Sequence, residues 1–184
     1  NELITKAQEQ ALAIVEEKNP GLENKEEVSK LVMQSAIKYF DLSHNYKSDL
    51  VFTWDKALSF EGNTGPYLQY THARINGILR KGDIGSSIQT PEDVELSQTE
   101  LVVLRKLQKF EEVVQQVLVE YTPNTLTNYL FELSQNFNSF YEVSPVLKEE
   151  DESKRNLRLN LIKATAQVIK NGLNLLGIEA PEEM

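Results

Sequence analysis

Aromatic and basic side chains recur at helical spacing in the segment between Gly62 and Gly82. At about 100° per residue, one face of a helix there carries Tyr67, Tyr70, Arg74 and Lys81. The face roughly 130° away by the same count carries an apolar stripe with one histidine, namely Leu68, His72, Ile75 and Leu79. Unpaired bases stack on rings and cations hold phosphates, so the first face suits a single-stranded nucleic acid. Packing against a second helix is the commoner use of such rings, and both interpretations stay open at this point.

Basic and acidic residues are unevenly distributed along this acidic chain. The 184 residues carry a net charge of −9, which argues against indiscriminate nucleic-acid binding. Two segments, 62–82 and 153–178, nevertheless contain cations and no acid. The second segment contributes Lys154, Arg155, Arg158, Lys163 and Lys170. Basic helices on an acidic body would direct a polyanion to one place, whereas ordinary solvated lysines are the open alternative.

Catalytic chemistry finds little support in the sequence. There is no cysteine, which excludes disulfides, thiolate zinc sites and cysteine nucleophiles. The two histidines are far apart, and His72 falls on the apolar stripe, which favours a structural imidazole. No phosphate-binding GxxxxGK loop, HExxH pair or GxSxG turn occurs. The carboxylate run 149–152 is typical of a solvated loop. We therefore expect no catalytic residue, no metal site and no cofactor in this chain.

The elements that would position these residues are helices. Apolar residues recur at helical spacing from the first residues to about Leu176, and the predicted fold is an all-α bundle of five or six helices. Start signals are capping-box patterns at Asn24 and Ser97 and the pair Thr122-Pro123. Gly177 is predicted to end the last helix in a left-handed conformation. Residues 50–54 are predicted to form an extended connector and residues 82–95 a surface loop.

Four blocks of the sequence resemble one enzyme family. They are residues 36–42, 59–70, 137–141 and 167–181, in that order and spread over nearly the whole chain. The chain resembles the C-terminal part of an arginyl-tRNA synthetase, a class I aminoacyl-tRNA synthetase. The resemblance implies connecting helices from the end of the catalytic region in residues 1–60 and a helical, DALR-type anticodon-binding domain in residues 61–184.

The resemblance also implies which residues meet the tRNA. Residues that match anticodon-contacting positions of the family are Tyr67, Tyr70, Arg74, Tyr141 and Met184. The charge pattern adds candidates for contact with the RNA backbone, namely Lys81, Lys154, Arg155, Arg158 and Lys163. One departure concerns Glu183, since the family commonly has an arginine before the terminal methionine.

The expected function is therefore recognition of arginine tRNA by its anticodon loop, with the chemistry performed elsewhere. ATP with Mg²⁺ would act in the catalytic domain of the same polypeptide, whose HIGH-like and KMSK-like sequences are expected upstream. We expect a cytoplasmic protein that has no membrane or DNA partner. Two alternatives are a free-standing helical RNA-binding module and a protein–protein interaction bundle.

Overall fold

The computed structural model describes residues 2–82 and 94–184, so the predicted loop at 82–95 lies almost entirely outside the described residues. Within them the protein is all-α, as predicted, and has no strand. The eight helical segments of the described residues are α1 Glu2–Lys18, α2 Lys25–Leu42, α3 Trp54–Ala57, α4 Gly65–Lys81, α5 Gln98–Gln108, α6 Phe110–Glu120, α7 Pro123–Val143 and α8 Glu152–Leu175.

Two features raise the number of segments above the predicted five or six. A single helical turn, α3, begins at Trp54, the last residue of the predicted connector. The helix that starts after Ser97 is interrupted at Lys109, whose amide bonds to the Lys106 carbonyl, 3.1 Å away, before α6 begins. The two halves have different neighbours, because α5 packs on both α7 and α8 whereas α6 packs mainly on α7. Periodicity alone does not reveal that change of direction.

The predicted caps have mixed outcomes. Ser97 and Glu100 form the complete capping box, and Gly177 adopts φ +69°. The capping box at Asn24 is wrong, because the residue has φ −104° and ψ 41° and its side chain makes no cap bond. An N-cap residue normally has an extended backbone that directs its side chain at the first free amides. The helix α7 starts at Pro123 as predicted, without a cap bond from Thr122.

Two hydrophobic clusters meet at α4. The larger joins α4, α5, α7 and α8, and the smaller joins α1, α2, α3 and the C-terminal residue Met184. Leu68, His72 and Ile75 are buried, which confirms the predicted core stripe of α4. The contact with α2 is very close at Gly65, where an added Cβ would lie 2.2 Å from Ser35 Oγ. α4 therefore packs closely on α2 at its start, and its opposite face is the one that carries the predicted site residues.

No helix in the described parts of the chain combines the length and the apolar character needed to cross a membrane.

Candidate nucleic-acid interface

A cavity of about 420 Å³ brings together residues from distant parts of the sequence. It lies between the end of α1, one face of α4, the C-terminal part of α7 and the end of the chain. Its lining includes Tyr70, Arg74 and Lys81 from α4, Tyr141 from α7, and Met184. These are four of the five residues predicted to meet the anticodon and one of those predicted to meet the backbone.

Arg74 is exposed and already oriented towards this cavity. One of its terminal nitrogens donates to Asn138 Oδ1 at 3.2 Å, and the guanidinium carbon lies 5.1 Å from the centre of the Tyr141 ring. The Tyr141 ring in turn stacks on the fully buried Phe137, with a centroid distance of 5.8 Å and an interplanar angle of 27°. A guanidinium has five N–H donors, so the bond to Asn138 leaves others for a phosphate or a base edge.

Tyr70 is half-buried between two cavities. Its ring meets the edge of Phe60 at a centroid distance of 6.0 Å and an angle of 76°. On one side it lines the 420 Å³ cavity, and on the other it lines a cavity of about 610 Å³ bounded by α1 and the residues before α4. Because Phe60 supports it from one edge, the ring is held in place while part of its surface remains accessible.

Tyr67 has a different position from the one expected. It is half-buried, packs against the larger cluster and meets the edge of Phe131 at 5.6 Å. Its hydroxyl accepts a hydrogen bond of 2.8 Å from Asn138 Nδ2, and burial raises the pKa of the phenol. Tyr67 does not line the 420 Å³ cavity. It is connected to the cavity through Asn138, which bonds both Tyr67 and Arg74.

The basic residues separate into distinct environments. Lys81 lines the cavity, and Lys163 lies at a smaller one of about 250 Å³ next to it, together with Arg80. Lys154 and Arg155 are in the first turn of α8 and do not line the 420 Å³ cavity.

Arg158 does not face solvent. It is 6% exposed, and its guanidinium donates to Glu100 at 2.7 Å and to Glu149 at 2.6 Å. Because this guanidinium is buried between two carboxylates, Arg158 cannot make the expected contact with the RNA backbone. Its role in the structure is an ion pair between α8 and the start of α5.

The lining is positive although the chain is acidic. Four cationic side chains, Lys18, Arg74, Arg80 and Lys81, line the cavity with a single acidic side chain, Glu183. Glu183 is itself paired with Arg80 at 3.2 Å. Clustered cations in a concave surface raise the local concentration of an anionic ligand.

Three residues of this interface were not predicted from the residue pattern: Asn138, Lys18 and Arg80. Asn138 lies three residues before Tyr141, on the same face of α7, which is a usable signal once Tyr141 is chosen. Lys18 reaches the cavity only through tertiary packing. Arg80 lies in the acid-free segment 62–82, but its helical spacing does not place it on the face of Tyr70 and Arg74. Within the described ranges there is no group of three or more His, Asp or Glu side chains that could hold a metal ion.

Comparison with known proteins adds independent information. The family "DALR anticodon binding domain" matches residues 68–184, and the family "tRNA synthetases class I (R), catalytic domain" matches residues 1–54. The chain is 43% identical to an arginine–tRNA ligase of Aliivibrio salmonicida and 42% identical to one of Clostridium beijerinckii, in each case over the whole chain and 32% of the relative.

Solved structures agree with these sequence relatives. Arginyl-tRNA synthetase of Thermus thermophilus superposes on the whole chain with a TM-score of 0.92 at 38% identity, over 32% of its own length. The enzyme of Plasmodium falciparum superposes with a TM-score of 0.83 at 28% identity, over 33% of its length. The chain thus spans about a third of the length of the relatives it matches. Since the anticodon-binding family covers more than half of the chain, the chain belongs to the DALR anticodon-binding domain family.

Proposed function

We propose that this chain is the anticodon-binding portion of an arginine–tRNA ligase and binds arginine tRNA by its anticodon loop. In this proposal residues 61–184 form the RNA-binding domain. The observation that supports it most is the 420 Å³ cavity, where Tyr70, Arg74, Tyr141 and Met184 meet although they are far apart in the sequence.

The geometry suits a loop whose bases are unstacked. One base would lie against Tyr70 and another against Tyr141, and each such stacking contact is worth roughly 1–3 kcal/mol. Arg74 would contact a phosphate or a base edge, and Lys81 a phosphate. Discrimination between bases requires hydrogen bonds to base edges. In this proposal the backbone near Met184, in the cavity lining, makes these hydrogen bonds. Tyr67 would contribute indirectly, by holding Asn138 and through it Arg74.

Residues 1–60 would connect this domain to the catalytic domain of the same polypeptide. Within this segment Tyr46 and Val51 are 73% and 82% exposed, and Phe52 is partly exposed. Exposed apolar residues in a segment that matches the catalytic-domain family are well suited to packing against the rest of such a domain. The cytoplasm, where tRNA is charged, is the proposed location.

ATP and Mg²⁺ belong to the catalytic portion in this proposal. The 184 residues contain no GxxxxGK phosphate loop, and the described residues offer no carboxylate cluster for a metal ion. In this proposal the side chains of this chain bind and orient the tRNA, and no step of aminoacylation is assigned to them.

The direct test is a titration of the chain with a fluorescent anticodon stem-loop of an arginine tRNA. We expect measurable binding that weakens roughly 5- to 150-fold in Tyr70→Ala, because one stacking ring is lost. Tyr46→Ala is the matched control, since Tyr46 is a more exposed tyrosine outside the cavity, and it should bind like the parent.

Two outcomes would count against the proposal. Equal binding by Tyr70→Ala and the parent would reject the assigned site. Absence of binding by a folded parent would favour the protein–protein interaction bundle. A free-standing RNA-binding module would bind in the same way, and it is distinguished by an upstream reading frame that lacks the catalytic motifs.

A further inference from the structure

The last seven residues form a tail, 178–184, that starts from a fixed point. Gly177 adopts the left-handed conformation. The Ile178 amide donates to the Leu173 carbonyl at 2.9 Å, and the Gly177 amide donates to the Asn174 carbonyl at 2.9 Å. These are the two hydrogen bonds of a Schellman motif, which reverses the chain at a helix end. Ile178 then enters the larger hydrophobic cluster. The direction of the tail is therefore set as soon as α8 ends.

A polar stripe on α4 holds the rest of the tail. Gln69, His72, Asn76 and Arg80 are spaced by three, four and four residues, so they share one face of the helix. Gln69 Nε2 donates to the Glu179 carbonyl at 2.7 Å, and Arg80 donates to the Glu182 carbonyl at 3.1 Å. Between them, His72 Nδ1 lies 2.8 Å from the Pro181 carbonyl oxygen. Three side chains of one helix thus hold three carbonyls of the tail.

His72 has the protonation state that this contact needs. A carbonyl only accepts, so Nδ1 must donate, and Nε2 accepts from Asn76 Nδ2 at 3.1 Å. Burial lowers the pKa of His72 below its usual value and so favours the neutral ring. The imidazole therefore donates from Nδ1 to the tail, and its lowered pKa favours the uncharged ring.

The acidic side chains of the tail are also bound. Glu182 pairs with Lys170 of α8 at 2.9 Å, and Glu183 pairs with Arg80. Both of these carboxylates are thus paired with protein cations, and only the Glu183–Arg80 pair lines the cavity. Met184, which is 8% exposed, then packs against the smaller cluster and lines the cavity with Tyr70.

We propose that Gln69, His72 and Arg80 are positioning residues, which fix the tail so that the backbone near Met184 can discriminate between anticodon bases. This inference depends on the proposed function of the cavity. It adds to that function a positioning role for a second face of α4, which does not carry the stacking rings. Loss of the tail contacts should reduce selectivity more than it reduces total affinity.

The first test needs no RNA, because the chain contains only two methionines, Met33 and Met184. In a spectrum of ¹³C-methyl methionine, we expect the Met184 signal to move towards the position of a solvent-exposed methyl in Arg80→Ala and in His72→Gln. Met33, on α2, reports that the fold is intact. His72→Asn should retain the parent signal, since its amide nitrogen is three bonds from Cα, as Nδ1 is, whereas that of glutamine is four.

The second test measures selectivity. The ratio of affinities for the cognate stem-loop and a middle-base variant should fall about two- to tenfold in His72→Gln and in Arg80→Ala, as for loss of one hydrogen bond. It should be preserved in His72→Asn. Two results would overturn the inference. One is an unmoved Met184 signal in Arg80→Ala; the other is a displaced Met184 signal in that variant with an unchanged ratio of the two affinities. Failure of the parent to bind any stem-loop would instead reject the proposed function.

Discussion

At the scale of single residues, two arginines on helices rich in cations have opposite roles. Arg74 lies exposed on the Tyr141 ring, whereas Arg158 is buried between Glu100 and Glu149. The charge pattern of the sequence does not distinguish the two arginines, because both lie in segments that contain no acidic residue. Their difference arises from Glu100, 58 residues away from Arg158 in the sequence, and such a partner becomes visible only in the folded chain.

The Arg158–Glu100 pair should contribute strongly to stability. Its side chains are 7% and 0% exposed, so Glu100→Ala would remove the buried one of the two carboxylates that pair with Arg158 and leave only Glu149. We expect a loss of about 3–5 kcal/mol in the free energy of unfolding, measured by urea denaturation. Arg105→Ala is the control, because Arg105 is exposed on the same helix, and should change little. A loss below about 1 kcal/mol for Glu100→Ala would contradict this account.

The same pair predicts an acid dependence. Burial alone would raise the pKa of Glu100, but the hydrogen bonds from Arg158 and Ser97 lower it below its usual 4.5. A carboxylate with a lowered pKa stabilises the fold fully above its unfolded value, and this contribution is lost as pH falls through the folded pKa. Unfolding free energies measured from about pH 6 to pH 3 should therefore fall more steeply in the parent than in Glu100→Gln. Parallel curves would refute the assignment.

At the scale of elements, α4 must approach α2 closely to present the cavity-lining face. A methyl group at Gly65 would lie 2.2 Å from Ser35 Oγ and 2.8 Å from the Ser35 carbonyl oxygen. The sequence predicts that a small-residue turn opens this helix, but it does not predict that Gly65 touches another helix.

Gly65→Ala should therefore destabilise the protein by about 1–3 kcal/mol, as overpacked sites do. Gly77→Ala is the matched control in the same helix, because an added Cβ there would meet only Arg80 at 3.8 Å. Replacing a helical glycine by alanine without a clash should be neutral or stabilise by up to about 1 kcal/mol. Thermal or urea unfolding distinguishes the two, and equal stability of both variants would contradict the close contact.

Helix positions and part of the site were predictable from the sequence for physical reasons. Local signals such as the Ser97 capping box and Gly177 act within one turn and depend little on distant residues, although the same capping pattern at Asn24 does not form. The spacing of Tyr70 and Arg74 fixed their common face, while Tyr141 and Met184 came only from the family resemblance. The bonds of Asn138 to Tyr67 and Arg74, and the α4 contacts to the tail, could not be predicted, since they join segments more than 60 residues apart.

At the scale of the whole molecule, a net charge of −9 is combined with a positive cavity. RNA binding should then depend on few phosphate contacts. A plot of the logarithm of the association constant against the logarithm of the salt concentration should have a slope of about −0.7 for each phosphate contact to a single strand. Arg74→Gln should reduce that slope by about one contact. Arg105→Gln, which removes an exposed cation outside the cavity, should leave the slope unchanged. Equal slopes for all three proteins would argue against a phosphate contact of Arg74.

The central claim is that one cavity on this acidic protein holds the anticodon loop. Mapping backbone amide shifts by NMR while an anticodon stem-loop of arginine tRNA is added tests it most directly. We predict the largest changes at Tyr70, Arg74, Tyr141 and Met184 and none along α6, Phe110–Glu120, which lies outside the cavity. Changes confined to α6 or to the exposed connector around Tyr46, with the four cavity residues unmoved, would contradict it.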